Sequence, residues 1–374
     1  MKYYIIAGEA SGDLLGSYLI KSIKNLDNHA DFRCWGGDLM DAQGGEIIKH
    51  YKELAFMGFW EVAINLRTVL KNITTCKVDI LLYEPDVVVL IDYSGFNLRI
   101  AEFAKEHNIR VVYYVSPQIW AWKKNRVYKI KRDVDTMITI LPFEKEFYAK
   151  YNYDVHYVGH PLLDVVRDEQ KNEDWLDFKN KHKLDDRPVI ALLPGSRRQE
   201  LVKMIPVMVK MVEQFPDYQF VMSKVKWQPL SLYQSYIKNK KITLVEGNTY
   251  SILHHAKAAI VTSGTATLET ALWNVPQVVC YKGGFISMII INLIIDRTKK
   301  YISLVNLILE KLVVTELIQS ECTPKKLKEE VSKIVYDNQA IDAMKREYAQ
   351  LRHILGDAGT ADRAAKLIVK DEIK

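Results

Sequence analysis

The chain of 374 residues is short of cysteine, and its four (Cys34, Cys76, Cys280, Cys322) lie far apart, with no CxxC and no histidine at a ligand-like spacing. That excludes a disulfide framework or a cysteine-based zinc site and points to free thiols in a reducing compartment. A secretory apolar region is missing as well: MKYYIIAGEASGD reaches charged and glycine positions after only a few apolar residues, so a cytoplasmic protein is expected. No run attains the roughly 18 to 20 apolar residues of a membrane helix. The strongest, FISMIIINLII from Phe285 to Ile295, reads as a buried helix or as an acyl-chain or interfacial contact. Internal repeats and low-complexity tracts are absent, and so are the GxGxxG of dinucleotide folds and the lysine of a P-loop after the first strand. No cofactor is expected.

What is present is an α/β pattern long enough for two domains. Apolar runs alternate with helical segments, as in parallel βαβ units. In the first half the strands read YYIIA, DVVVLID (Asp86–Asp92), RVVYYVS (Arg110–Ser116), TMITIL (Thr136–Leu141) and VHYVG (Val155–Gly159). In the second they read VIALL (Val189–Leu193), YQFVM (Tyr218–Met222), ITLVE (Ile242–Glu246), AAIVT and QVVCY (Gln277–Tyr281). Two doubly wound, Rossmann-like parallel-sheet domains facing a cleft follow, over residues 1–165 and 166–340. A helical segment, 341–374, is expected to pack back across both.

Two stretches carry most of the chemistry. LPGSRRQE from Leu193 and SGTATLE from Ser263 each stand where a strand hands over to a helix, a junction that offers backbone N–H groups and a helix N-terminus to an anion. Arg197 sits in the first helical turn, where a guanidinium clamps phosphate oxygens, with Glu200 on the same face. Ser263, Gly264 and Thr265 supply donors, and Glu269, one turn on, faces ribose hydroxyls. Together with Gly195 and Ser196 these residues suggest a nucleotide-sugar diphosphate site.

In the first half, AGEASGD brings Glu9, Ser11 and Asp13 to the end of strand 1, as a substrate loop or as a tight turn with Asp13 at a helix start. DVVVLID delivers Asp92 to a sheet edge, as a general base or as a cap for a helix beginning near Asn97. YVSPQIWAW, with Ser116 and Trp120, suits sugar faces and acyl chains, or plain packing. The basic run Trp120–Arg132 favours an anionic partner or is a solvated face. Asp133-Val-Asp135 has the form of a metal-binding DxD, yet no metal is expected, and His254-His255 reads as local packing. MGFWEVAINLRTVLKNI (Met57–Ile73) is amphipathic, facing either the core or, through Phe59, Trp60, Leu66 and Val69, a membrane surface. No nucleic-acid partner is expected.

Ten motifs in order, among them AGEASGD, MGFWEV, PDVVVLIDYSGFN, YYVSPQIWAW, LPFEKEFYAKY, VGHPLLD, LPGSRRQE, SGTATLE and YISLVNLIL, resemble the lipid-A-disaccharide synthase family from residue 7 to about residue 325. The resemblance implies a GT-B fold and an inverting hexosyl transfer from UDP-2,3-diacylglucosamine to 2,3-diacylglucosamine 1-phosphate. The product would be a β-1,6-linked disaccharide, made at the cytoplasmic face of the inner membrane by a peripheral protein, with a homodimer suggested. It implies UDP binding by the second domain through Gly195–Arg197, Ser263–Glu269 and Asn306, and acceptor binding by the first through Glu9, Ser11, Asp13, Ser116 and Trp120. Asp92 is then the base and Arg197 the diphosphate clamp. One departure stands out: relatives often carry a second aspartate three residues after the first, and here that position is Gly95. The rival readings are a UDP-N-acetylglucosamine 2-epimerase or other GT-B enzyme with a soluble acceptor, and a non-catalytic nucleotide-sugar or lipid-binding protein.

Overall fold

The computed structural model describes residues 1–54, 66–120, 124–169, 174–238, 240–283 and 301–369. The chain divides into two compact units, Met1–Asp164 with Asp357–Lys374, and Val165–Gly356.

The first unit holds a parallel sheet of seven strands in the order β3-β2-β1-β4-β5-β6-β7. These are β1 (Lys2–Ala7), β2 (Asp31–Gly36), β3 (Glu46–His50), β4 (Val87–Ile91), β5 (Arg110–Tyr114), β6 (Thr136–Thr139) and β7 (His156–Tyr157). Strand β4, VVVLI, is buried at every position, as a central parallel strand covered on both faces must be. Successive residues feed opposite faces: Val88 and Leu90 join a core with Tyr4, Trp35 and Tyr113, while Val87, Val89 and Ile91 join one with Tyr3, Leu19 and Tyr114. Strands β2 and β3 are not evident in the sequence, because DFRCWG and EIIKH mix charge with apolar residues as lateral strands do.

The last helix, Thr360–Val369, belongs to this first unit, where Ala364, Ala365 and Ile368 complete the second core. Asp164 is the reason it starts there: the buried carboxylate accepts from Thr360 Oγ1 (2.6 Å) and Ala361 N (3.1 Å), and from Gly359 N. At the other end Arg110 donates to the Leu367 and Ile368 carbonyls, where a cation meets the helix dipole favourably. The preceding helix, Asn338–Leu355, is part of the second unit.

The second unit has a parallel sheet of six strands, β10-β9-β8-β11-β12-β13. They are β8 (Val189–Leu193), β9 (Gln219–Lys224), β10 (Ile242–Glu246), β11 (Ala256–Thr262), β12 (Gln277–Tyr281) and β13 (Thr315–Ile318). In each unit the strand order reverses once, at β1/β4 and at β8/β11, and the crevice beyond such a switch point is where open α/β sheets bind ligands.

Candidate active site

In the first unit the switch point brings AGEASGD beside IDYSG. Ala7 pairs with Ile91, so Gly8 and Asp92 leave the sheet as neighbours. Asp92 and Tyr93 both adopt left-handed backbone, at φ 45° each, which is rare for residues with side chains. Two donors hold this conformation. Asn97 Nδ2 reaches the Ile91 and Asp92 carbonyls (3.2 and 2.8 Å), and Tyr113 OH reaches the Asp92 carbonyl (2.5 Å). Burial, and then the nearby Asp92 carboxylate, push Tyr113 well above its ordinary pKa, so it remains a donor. The turn leaves Asp92 exposed at the sheet edge. It is not the cap of a helix near Asn97: the helix starts at Ser94 with Tyr93 at its N-cap, and Asn97 is buried one turn inside.

The Tyr93 ring lies against Gly8, where an added Cβ would stand 2.3 Å from Cγ, so only glycine admits this packing. Glu9 is half-buried next to Tyr93, whose pKa is raised by burial and then by the Glu9 charge. Ser11 is exposed. Asp13 stands in the first turn of the helix Ala10–Lys24, as the second of its two readings had it. It is buried, and it accepts from Gly37 N (2.8 Å), Leu39 N (3.2 Å) and Met40 N (3.1 Å), capping the short helix Asp38–Ala42 rather than facing an acceptor.

Beyond β5, Ser116 is buried with Oγ 2.8 Å from Tyr148 OH, and Trp120 packs edge-on against Phe143 at 4.8 Å. Both neighbour Glu144, a buried carboxyl that accepts from Ile140 N and Leu141 N. Burial pushes it up to about 7, against the lowering effect of those bonds. Ser116 and Trp120 thus sit on a buried polar cluster that the sequence did not reveal. Much of the basic run is internally paired: Lys129 and Arg132 engage Glu102 and Asp133, while Arg126 reaches Ser94 Oγ (3.4 Å). Asp135 pairs with Lys105 and accepts from Val111 N, so both DxD carboxylates are engaged in the fold.

In the second unit Leu193 pairs with Val261, which sets LPGSRR and TSGTA side by side at the switch point. Two helices begin there, Arg198–Met208 and Thr265–Leu272, and their first turns present orphan N–H groups. Ser196, Arg197, Gly264 and Thr265 are exposed. Glu200 folds back, its Oε2 accepting from Ser196 N (3.1 Å) and Arg197 N (3.2 Å). That carboxylate shapes the loop, and Gly195 at φ 101° admits it, since a Cβ there would lie 2.4 Å from Oε2. Trp227, half-exposed, donates to the Ser196 carbonyl (3.2 Å). Glu269 accepts from Tyr250 OH (3.1 Å), and burial raises its pKa. His254 and His255 are in ring contact with Trp273, Trp175 and Phe178.

Asn306 and Ser263 are engaged inside the fold. Asn306 is fully buried: Nδ2 donates to the Val314 carbonyl and Glu316 Oε1 (2.8 Å each), and Oδ1 accepts from Val313 N (2.8 Å) and Val314 N (3.0 Å). All four hydrogen-bonding positions of the amide are used, so Asn306 supports the loop instead of reaching a ligand. Glu316 also takes Ile302 N and Ser303 N (2.9 Å each), and Ser263 Oγ donates to the Ile302 carbonyl (3.1 Å). With Ser263 N given to the Cys280 carbonyl, both donors of Ser263 are occupied, and the exposed Thr265 heads the helix that follows.

Of the membrane-facing residues expected near Met57–Ile73, Phe59 and Trp60 lie outside the described residues, as does the side chain of Leu66. The helix Leu66–Tyr83 buries Ile73, Cys76 and Ile80, with Val69 packed partly against the same core, so Val69 faces inward. Its outer side exposes Leu70, Val78, Leu81 and Leu82. The segment 285–295 also falls outside the described residues, and among these no helix is long and apolar enough to cross a membrane.

The profile of the family "Lipid-A-disaccharide synthetase" matches residues 3–369. A lipid-A-disaccharide synthase of Syntrophus aciditrophicus is 37% identical over 372 residues, covering 96% of this chain and 95% of its own. One from Geobacter sulfurreducens is 33% identical, covering 98% and 96%. Among solved structures, a UDP-GlcNAc 2-epimerase of Neisseria meningitidis bound to UDP-GlcNAc superposes with a TM-score of 0.70 at 12% identity, over 99% of this chain and 100% of the other. A calicheamicin glycosyltransferase gives 0.60 at 16%, over 98% and 97%. At such identities these structures establish a shared two-domain α/β fold of GT-B type and nothing about chemistry.

Proposed function

The chain belongs to the lipid-A-disaccharide synthetase family of glycosyltransferases, and from that premise we propose that it joins UDP-2,3-diacylglucosamine to 2,3-diacylglucosamine 1-phosphate with inversion, releasing UDP. The observation that carries the donor half is the pair of helices that begin beyond the neighbouring strands β8 and β11, with the exposed Arg197 at the N-cap of the first. A diphosphate there meets N–H groups of both first turns, and the Arg197 guanidinium takes its oxygens. Glu269 receives ribose hydroxyls, and Gly195, Ser196, Gly264 and Thr265 line the approach.

In the reaction, Asp92 removes the proton of the acceptor 6-hydroxyl as that oxygen bonds to the anomeric carbon, while the bond from that carbon to the UDP oxygen breaks on the opposite side. The proton ends on Asp92 and the leaving electron pair on UDP, held by Arg197. A positioned base contributes about 10² to 10⁴ in rate, and a charged donor on the departing oxyanion about 10² to 10³. Asn97 and Tyr113 are positioning residues that act through the Asp92 backbone. On the acceptor side Glu9 and Ser11 meet the sugar, and Ser116 and Trp120 act from within the buried cluster around Glu144. The apolar residues Leu70, Val78, Leu81 and Leu82, exposed on the helix Leu66–Tyr83, meet the membrane that holds both acylated substrates.

The test is thin-layer chromatography of purified protein with UDP-2,3-diacylglucosamine and phosphate-labelled 2,3-diacylglucosamine 1-phosphate, with EDTA, and Asp92→Asn in parallel. A labelled disaccharide 1-phosphate from the native chain and not from the variant is expected. Tight UDP binding without lipid product would overturn the acceptor assignment. A free UDP-sugar isomer would point to epimerisation.

A further inference from the structure

A second concave site lies in the Val165–Gly356 unit, at the far end of the helix that starts at Arg198. Pro206 interrupts that helix: it has no N–H for the Val202 carbonyl, and from Val209 to Gln214 the chain tightens into a 3₁₀ turn. Beside this turn a cavity of about 850 Å³ opens against the end of the helix Leu230–Ile237 and the start of the helix Pro324–Tyr336. Eight residues at 1.5 Å rise separate Arg198 from Pro206, so the cavity is roughly 12 Å or more from the diphosphate loop, and it shares no residue with that loop.

Five lysines line it, Lys210, Lys238, Lys240, Lys325 and Lys328, and the single carboxylate, Glu213, pairs with Lys240. Among the described residues the other four have no ion-pair partner. Lysines at a helix C-terminus, such as Lys238, are favoured by the dipole; Lys325 and Lys328 occupy the first turns of a helix that has no acid in its first turn, where the dipole disfavours them. Local helix electrostatics therefore does not account for their convergence with Lys210 and Lys238 on one concavity. The lining also includes the apolar Pro206, Val209, Met211 and Pro324, and the volume exceeds what a lone phosphate fills.

We propose that this cavity binds phosphate-bearing anions, with a phospholipid as the occupant: its headgroup phosphate meets the lysines and its glycerol and acyl roots meet the apolar lining residues. The site is independent of the transfer reaction. Full-length protein is measured by sedimentation with vesicles of zwitterionic phospholipid, with and without an anionic phospholipid, and by calorimetry with inorganic pyrophosphate and, separately, UDP. Lys325→Glu/Lys328→Glu is compared with Arg346→Glu, an exposed control in the same unit.

Binding to anionic vesicles about tenfold weaker or more in the double variant, with the control and UDP affinity unchanged, is the expected result. Loss of pyrophosphate binding alone would assign the same cavity to a soluble phosphate. If neither vesicle nor pyrophosphate binding differs from the control, the proposal is overturned. Lys210→Gln/Lys238→Gln, on other elements of the same rim, must reproduce the direction, and it serves as the test should the charge reversal fail to fold.

Discussion

Replacing Asn306 by alanine separates a ligand contact from a structural one. The substitution deprives four groups of their partner: Val313 N, Val314 N, the Val314 carbonyl and Glu316 Oε1. An orphaned buried polar group costs about 1 to 3 kcal/mol, but Val313 and Glu316 are only half-buried and water can reach part of the gap. The net loss is therefore about 3 to 4 kcal/mol. For a unit of this size each kcal/mol lowers Tm by roughly 2 to 4 °C, so a fall of roughly 10 °C is expected in scanning calorimetry of the second unit's transition. Because Glu316 holds Ile302 and Ser303, and Ile302 holds Ser263, UDP affinity falls with it, but at a temperature where the variant is folded the fall is the smaller effect. Asn306→Asp keeps acceptors for Val313 and Val314 yet sets a carboxylate against Glu316, and it is destabilised as well. A Tm within about 2 °C of the native value together with a large loss of UDP affinity would refute the reasoning and return Asn306 to the ligand.

Three further outcomes follow from the first unit. Gly8→Ala drives Cβ into the Tyr93 ring, costing about 1 to 3 kcal/mol as an overpacked site does; kcat falls with little change in UDP affinity, which steady-state kinetics with a urea titration would show. Glu144→Gln removes a carboxyl whose folded pKa, about 7, lies above the ordinary 4.5. The folded state keeps that proton longer than the unfolded one, so native stability declines as pH rises from about 4.5 to about 7, by up to about 3 kcal/mol. Relative to the native chain the variant gains across that window, and equal pH slopes in urea unfolding would contradict this. Gly95→Asp meets open space and adds a carboxylate to a helix first turn, favourable by a few tenths of a kcal/mol. Disaccharide formation should change little if Asp92 suffices as base; a gain approaching the roughly hundredfold of general-base catalysis would show that it does not.

The alternation of strands and helices, and the loops at the ends of β1, β4, β8 and β11, were legible because they depend on near neighbours: an apolar run, then glycine, then a helical period. The same locality hid β2, β3 and the short β13, whose residues look amphipathic or polar until a neighbouring strand pairs with them. Leu70 and Ile73 stand three residues apart in the amphipathic stretch, a spacing that puts both on one helix face, yet Ile73 is buried and Leu70 exposed, because the orientation of a helix is decided by the sheet it packs on.

Side-chain roles divided in the same way. By itself the sequence determined which residue types stand at which strand ends: a carboxylate after β4, and glycine, serine and arginine after β8. Tertiary structure alone decided which of them stay available. Asp13 is taken by backbone N–H groups from Gly37 to Met40, Ser263 by the Ile302 carbonyl 39 residues on, and Asn306 by the loop and strand that follow it. Asp92 stands exposed at the sheet edge, on a backbone turn held by Asn97 and Tyr113. A hydrogen bond needs its partner within about 3 Å in space, and separation along the chain carries no such information until the fold has closed.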